Sequence, residues 1–260
     1  MSITLNVIGG GNMARAIIEG AIHGGILKNN TIAVAEPDDA SRTHFENLGC
    51  SVVASADELQ HAPYVLLAVK PQVFQEVVKH VRGDVIYSIM AGVSISHIAT
   101  ETGNNKVVRL MPNLPCSLGV GATGLTVSQG ASKVDAELAN ALFSAIGIVV
   151  EVEESLMDAI TAVSGSGPAY VFLLAEAMIQ GAIDAGLDQE TANTLVRQTI
   201  KGAAAMLSQD NRSATAMREA VTSKGGTTAA AIESMQSNKV SESIARGVVA
   251  ARNRGRELGE

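Results

Sequence analysis

Two glycine-rich segments of the sequence have the composition to bind an anion. Near the start, Gly9, Gly11 and Ala14 form a G-x-G-x-x-A pattern directly after the apolar run Leu5 to Ile8 and directly before a helix pattern beginning near Asn12. In that setting the first glycine permits a tight turn, the second lets backbone approach a pyrophosphate, and the small third residue lets helix pack on strand. The helix N-terminus offers unpaired N–H groups and partial positive charge to the phosphates. The plain alternative is a strand-to-helix turn with no ligand. Glu36 stands 25 residues beyond Gly11 at the end of a second apolar run, where an acidic group accepts from a ribose 2'-hydroxyl and repels a 2'-phosphate. On this reading NADH serves at least as well as NADPH, with Arg42 placed to offset the repulsion; otherwise Glu36 is a solvated residue before Pro37.

The second pair of segments lies late in the chain: Ser164 to Tyr170, and Val221 to Thr228 with Ser223, Lys224, Gly225, Gly226, Thr227 and Thr228. Each precedes a strong helix pattern. A Gly-Gly-Thr-Thr turn opening a helix exposes backbone N–H groups to an anion such as a carboxylate, and the hydroxyls of Thr227 and Thr228 add neutral donors. Two ordinary helix caps would look the same on spacing alone. All five histidines precede residue 98, so a histidine of the late region cannot serve as general acid, which weakens a hydroxy-acid dehydrogenase reading. No G-x-S-x-G nucleophile motif is present. Cys50 and Cys116 lie far apart with no partner at metal-ligand spacing, so they read as buried thiols, and no metal site is expected.

The elements that must position these groups change character along the chain. Up to about residue 150, short Val- and Ile-rich runs alternate with helix patterns: 5–8, 32–35, 51–53, 64–69, 85–89, 107–111, 125–127 and 148–152. Strands apolar on both faces and separated by helices predict a doubly wound α/β domain with a parallel sheet, residues 1–153. Val69 and Lys70 after the fourth run, Ala91 after the fifth and Asn113 after the sixth then share the carboxyl edge where ligands sit, though Lys70 also fits a solvated strand terminus. Beyond residue 153 the strand signal stops. Ala192, Leu195, Val196, Thr199, Ile200, Ala203, Ala204 and Leu207 follow a helical stripe, predicting an all-α domain over 154–260. The helix near 169–187 is apolar on two faces, which calls for a partner subunit.

Composition narrows the ligand. The net charge is −7, both halves are acidic, and aromatics make up 3% with no Trp, so neither a nucleic-acid footprint nor a base-stacking platform is expected. The 169–187 stretch is interrupted by Glu176, Gln180 and Asp184 and is not read as a membrane span, and the N-terminus lacks a secretory pattern, so a cytoplasmic protein acting on a small molecule is expected.

Taken together, Ile8-Gly9-Gly10-Gly11-Asn12-Met13, Ala68-Val69-Lys70-Pro71, Met111-Pro112-Asn113, Ser164 to Tyr170 and Ser223 to Thr228 make the chain resemble pyrroline-5-carboxylate reductase along essentially its whole length. The resemblance implies a Rossmann domain, a helical domain that interlocks with a second subunit, often in dimers assembled into a decamer, and reduction of 1-pyrroline-5-carboxylate to L-proline with NADPH or NADH. It carries dinucleotide contacts onto Ile8 to Met13, Val69, Lys70 and Ala91. It carries substrate-carboxylate contacts onto Gly225, Gly226 and Thr227 beside Ser223, and a hydrogen bond to the ring nitrogen onto Thr228. Lys224 stands where many members have proline, and Glu36 where many have a small hydroxyl residue. A reductase of another imine or of a small oxo acid would share the sheet half, but the Ser223 to Thr228 turn argues against it. A non-catalytic nucleotide-binding relative would bind nucleotide without substrate-dependent oxidation.

Overall fold

The computed structural model describes residues 2–259. Two compact units emerge, Met1–Ser166 with Ala250–Glu260, and Gly167–Val249. The first holds an eight-stranded sheet: β1 Leu5–Ile8, β2 Ile32–Ala35, β3 Ser51–Val53, β4 Ala62–Leu67, β5 Gly83–Ser88, β6 Val107–Met111, β7 Gly121–Val127 and β8 Gly147–Glu151, in the order β3-β2-β1-β4-β5-β6-β7-β8. The helices between them are α1 Asn12–His23, α2 Asp39–Asn47, α3 Phe74–Val77, α4 Ile95–Thr102 and α5 Lys133–Ser144.

The sheet is buried on both sides because its strands alternate apolar residues between two cores. Leu5, Val7, Leu66, Val85 and Tyr87 pack with α1 and α5 residues such as Ile17 and Phe143. Ile8, Val65, Leu67 and Ile86 pack with Phe74 and Ile98 on the other face. Helices on both faces are what two-sided apolar strands require.

One strand departs from the all-parallel expectation. β7 runs antiparallel to β6, pairing Val108 with Val127 and Met111 with Gly124, while every other pairing is parallel. The connection over 112–120 is too short for a crossover helix, so the chain can only turn back. α5 then supplies the crossover that makes β8 parallel to β7. β7 also begins earlier than its apolar residues suggest. Gly121 and Gly124 belong to it through their pairing with Gly147 and Met111, and glycine fits there because a Cβ at Gly121 would overlap Cys116 Sγ and one at Gly124 would stand 2.7 Å from Ile160.

After β8 the chain forms α6 Met157–Ile160 and a π-helical turn, Thr161–Gly165, closed by Ser166 N–H donating to Thr161 O at 2.8 Å. The second unit is helical: α7 Gly167–Asp184, α8 Gln189–Gln209, α9 Ala214–Ala220, α10 Thr227–Ser237 and the first half of α11 Val240–Gly259. Among its described residues only Ala192 and Val196 are buried. Phe172 and Leu173 are 56% and 65% exposed, and their neighbours Val171 and Leu174 are also open. A unit with so small an interior is completed by another surface.

Candidate active site

The turn after β1 is built by exclusion. Gly9 has φ +99°, a conformation that disfavours side chains, and a Cβ there would stand 2.8 Å from Ala68 O. Its N–H donates to Ala35 O at 2.9 Å, which ties the turn to β2. Gly10 is buried against Phe45 and Glu36 and has no room for a side chain. Gly11 is the opposite case: exposed, with nothing within 4 Å of where its Cβ would be. It caps α1 with no side chain accepting from the helix's first N–H groups. Asn12 and Met13 form the opening turn, and Ala14 is 1% exposed against the sheet. Open space above a backbone turn and an uncapped helix N-terminus are the features a pyrophosphate needs, so the residues fit a dinucleotide.

A cavity of about 490 Å³ opens here, lined by Ile8, Gly9, Gly11, Glu36, Val69 and Lys70 among others. The structure thus gathers the turn, the acidic residue after β2 and the end of β4 around one space. Glu36 is held within it: Oε2 accepts from Gly10 N–H at 2.6 Å and Oε1 from Asp38 N–H at 3.0 Å. Arg42 caps the same turn from behind, Nη1 donating to the carbonyls of Glu36 at 2.8 Å and Pro37 at 2.7 Å while Nη2 pairs with Asp39. Asp38 begins α2 by accepting from Ser41 N–H at 2.7 Å, and this bond holds its carboxyl below the usual range.

Five expected dinucleotide residues lie outside that cavity's lining: Gly10, Asn12 and Met13, which belong to the turn and the start of α1 beside it, and the more distant Ala91 and Asn113. Ala91 is exposed in the turn after β5, next to Gly92 with φ +75°. Asn113 spends its side chain on the fold: Nδ2 donates to Ser164 O at 3.0 Å and Oδ1 accepts from Ala122 N–H at 2.9 Å. It clamps the end of β6 to the π-turn and to β7. Nothing in the local spacing announces this, because Ser164 is 51 residues away and Ala122 is reached only once β7 turns back beside β6. Ser164 Oγ likewise turns inward to Ile160 O at 2.9 Å.

The second candidate turn belongs to the helical unit. Gly225 has φ +69° and Gly226 caps α10 in extended geometry. Gly226 N–H donates to Ser223 O at 3.0 Å, and a Cβ on Gly226 would stand 2.4 Å from Ser223 Oγ. The N–H of Gly226 is therefore used within the turn, and Gly226 contributes its shape. No side chain caps α10, whose first two residues are Thr227 and Thr228. Two N–H groups, two hydroxyls and the positive end of a helix make this turn competent to hold a carboxylate.

A family model described as pyrroline-5-carboxylate reductase dimerisation matches residues 154–258, and one described as NADP oxidoreductase coenzyme F420-dependent matches 4–92. The pyrroline-5-carboxylate reductase of Synechocystis sp. is 38% identical, with all of both chains covered. That of Arabidopsis thaliana is 34% identical over 100% of this chain and 96% of its own length. Among solved structures, a pyrroline-5-carboxylate reductase from Coxiella burnetii superposes with TM-score 0.90 at 36% identity over all of both chains. A Plasmodium falciparum pyrroline carboxylate reductase with NADP bound superposes with TM-score 0.87 at 29% identity over 99% of this chain and 98% of its own. With full-length relatives above 30% identity, this chain belongs to the pyrroline-5-carboxylate reductase family.

Proposed function

We propose that this chain reduces 1-pyrroline-5-carboxylate to L-proline, the last step of proline biosynthesis, using NADH or NADPH. The observation that carries the reading is the uncapped start of α10 behind the left-handed Gly225, within the segment that matches the family's dimerisation model. Ile8 to Met13 would hold the pyrophosphate, Glu36 the adenosine ribose, and Val69, Lys70 and Ala91 the remaining wall. The reduced nicotinamide, when bound, supplies the hydride.

The protein has little acid–base work to do. A protonated imine is already electrophilic, so holding it in a reactive orientation accounts for most of the required rate. The N–H groups of Thr227 and Thr228 and the end of the α10 dipole orient the substrate carboxylate. The Thr228 hydroxyl holds the ring nitrogen, whose proton stays on the nitrogen as it becomes an amine. Ser223 keeps the turn in shape by accepting the Gly226 N–H. Asn113 serves the site through the backbone it clamps.

The chain works as a homo-oligomer. The open apolar face of α7 and the match over 154–258 support a dimer, and dimers assembled into a decamer are the assembly the family resemblance favours. The run Glu154–Asp184 is long and apolar enough to cross a membrane. Its match to a dimerisation model favours a partner subunit as its cover and a cytoplasmic enzyme without membrane attachment. Purified chain mixed with NADH or NADPH and 1-pyrroline-5-carboxylate tests the activity: cofactor oxidation that depends on the imine, with proline formed in equal amount, is expected. Nucleotide binding without such oxidation would refute it.

A further inference from the structure

We infer that the loop between β5 and α4 is held at two points, by Glu154 and by the last turn of α11, and that these contacts position the nicotinamide end of the dinucleotide site. The inference rests on the dinucleotide reading above. With the pyrophosphate turn after β1 and the ribose acceptor Glu36 at the end of β2, the other half of the dinucleotide must extend to the opposite side of β1. The sheet order places β4 and β5 there. The loop that caps β5, with Ala91 exposed at its turn, is therefore the wall that meets the second half.

One end of that loop is tied by a single carboxylate oxygen. Glu154 Oε1 accepts from Ile95 N–H, the first residue of α4, at 2.7 Å and from Arg109 Nη1 at 3.1 Å. Arg109 lies on β6 with its side chain 8% exposed. Glu154 thus satisfies a helix-start donor and balances a buried guanidinium at once, two tasks that cost stability when left undone.

The middle of the loop packs against the last turn of α11. Gly92 is left-handed at φ +75°, and backbone of Leu258 lies 3.5 Å from where its Cβ would be. A Cβ on Gly259 would stand 2.7 Å from Gly92 O, and one on Gly255, a turn earlier, 3.3 Å from Asp158 Oδ1. The last turn of α11 is seated between the Gly92 turn and α6, and glycine is what lets it come so near. Both contacts come from beyond the sheet, yet both belong to the first compact unit.

The test compares equilibrium binding of NADH with that of ADP-ribose, which lacks nicotinamide, in the full-length enzyme. Glu154→Ala and Gly259→Leu should each weaken NADH by about fivefold or more while leaving ADP-ribose within about twofold, a differential loss confined to the second half of the ligand. Glu154→Gln keeps an accepting oxygen and should retain most of the affinity. Equal weakening of both ligands, or of neither, would overturn the inference. Should Glu154→Ala fail to fold, Gly259→Leu decides, since Gly259 is exposed in the last turn of α11 and the backbone its new side chain would meet is the Gly92 turn. If the wild-type enzyme bound neither NADH nor ADP-ribose, the dinucleotide reading itself would fall and take the inference with it, a result distinct from the others.

Discussion

Gly10 and Glu36 are joined by a 2.6 Å hydrogen bond from the backbone N–H to Oε2, which ties the glycine turn after β1 to the acidic residue after β2. The sequence left Arg42 open as a counterweight to the negative charge. The structure shows its guanidinium occupied by the carbonyls of Glu36 and Pro37 and by Asp39. The carboxylate therefore faces the cavity without a free cation of its own turn beside it. NADH should be used more efficiently than NADPH, and Glu36→Ser should move the ratio of kcat/KM values toward NADPH by about tenfold or more. Steady-state kinetics with both cofactors measure this; a ratio unmoved by the substitution would remove Glu36 from cofactor choice.

Gly9 and Gly11 separate folding from binding. Gly11→Val adds a side chain to open space, so the melting temperature should hold while dinucleotide affinity falls by about tenfold or more, as binding energy from the phosphates is lost. Gly9→Val forces a strained φ and a collision with Ala68 O, and should destabilise the fold by about 1–3 kcal/mol or more. Calorimetry of the free and nucleotide-bound variants distinguishes the two effects.

The sheet was largely legible in the sequence because its strands are apolar on both faces and separated by helices; β1, β2, β3 and β6 have the limits their apolar runs predict. Direction was less legible. The reversal at β7 depends on the short link over 112–120, a length argument that hydrophobic periodicity does not contain. At the site, glycine spacing located the β1 turn, but nothing local revealed that Gly10 is the tightly packed member or that Asn113 binds Ser164 and Ala122. Such bonds join residues that only the fold brings together.

Thr228→Ala removes one hydroxyl from an intermediate-exposure position at the start of α10. Losing the hydrogen bond to the reacting nitrogen should lower kcat by about tenfold, with the unfolding midpoint nearly unchanged. Full activity in the folded variant would leave Thr228 without a catalytic role. Thr228→Ser should recover most of the rate.

The open face of α7 should govern assembly. Leu173→Asp places a charge where the isolated chain leaves an apolar side chain 65% exposed. If a second subunit covers that face, sedimentation should show dissociation and loss of activity together. An unchanged oligomer would locate the interface elsewhere.

Cys50 and Cys116 are both buried, and burial pushes the Cys50 thiol up to about 11. The reactive thiolate of Cys50 is thus scarce at pH 8. Thiol reagents should label the native enzyme slowly and the unfolded chain fast, and alkylation under native conditions should leave activity intact.

The proposed function stands or falls on whether the Gly225–Thr228 turn holds the substrate carboxylate. A crystal structure of the enzyme with oxidised dinucleotide and L-proline tests it most directly. The proline carboxylate should lie on the N–H groups of Thr227 and Thr228, with the ring nitrogen within hydrogen-bond reach of the Thr228 hydroxyl and the pyrophosphate on the Gly9–Gly11 turn. Proline bound next to the dinucleotide but away from this turn would contradict it.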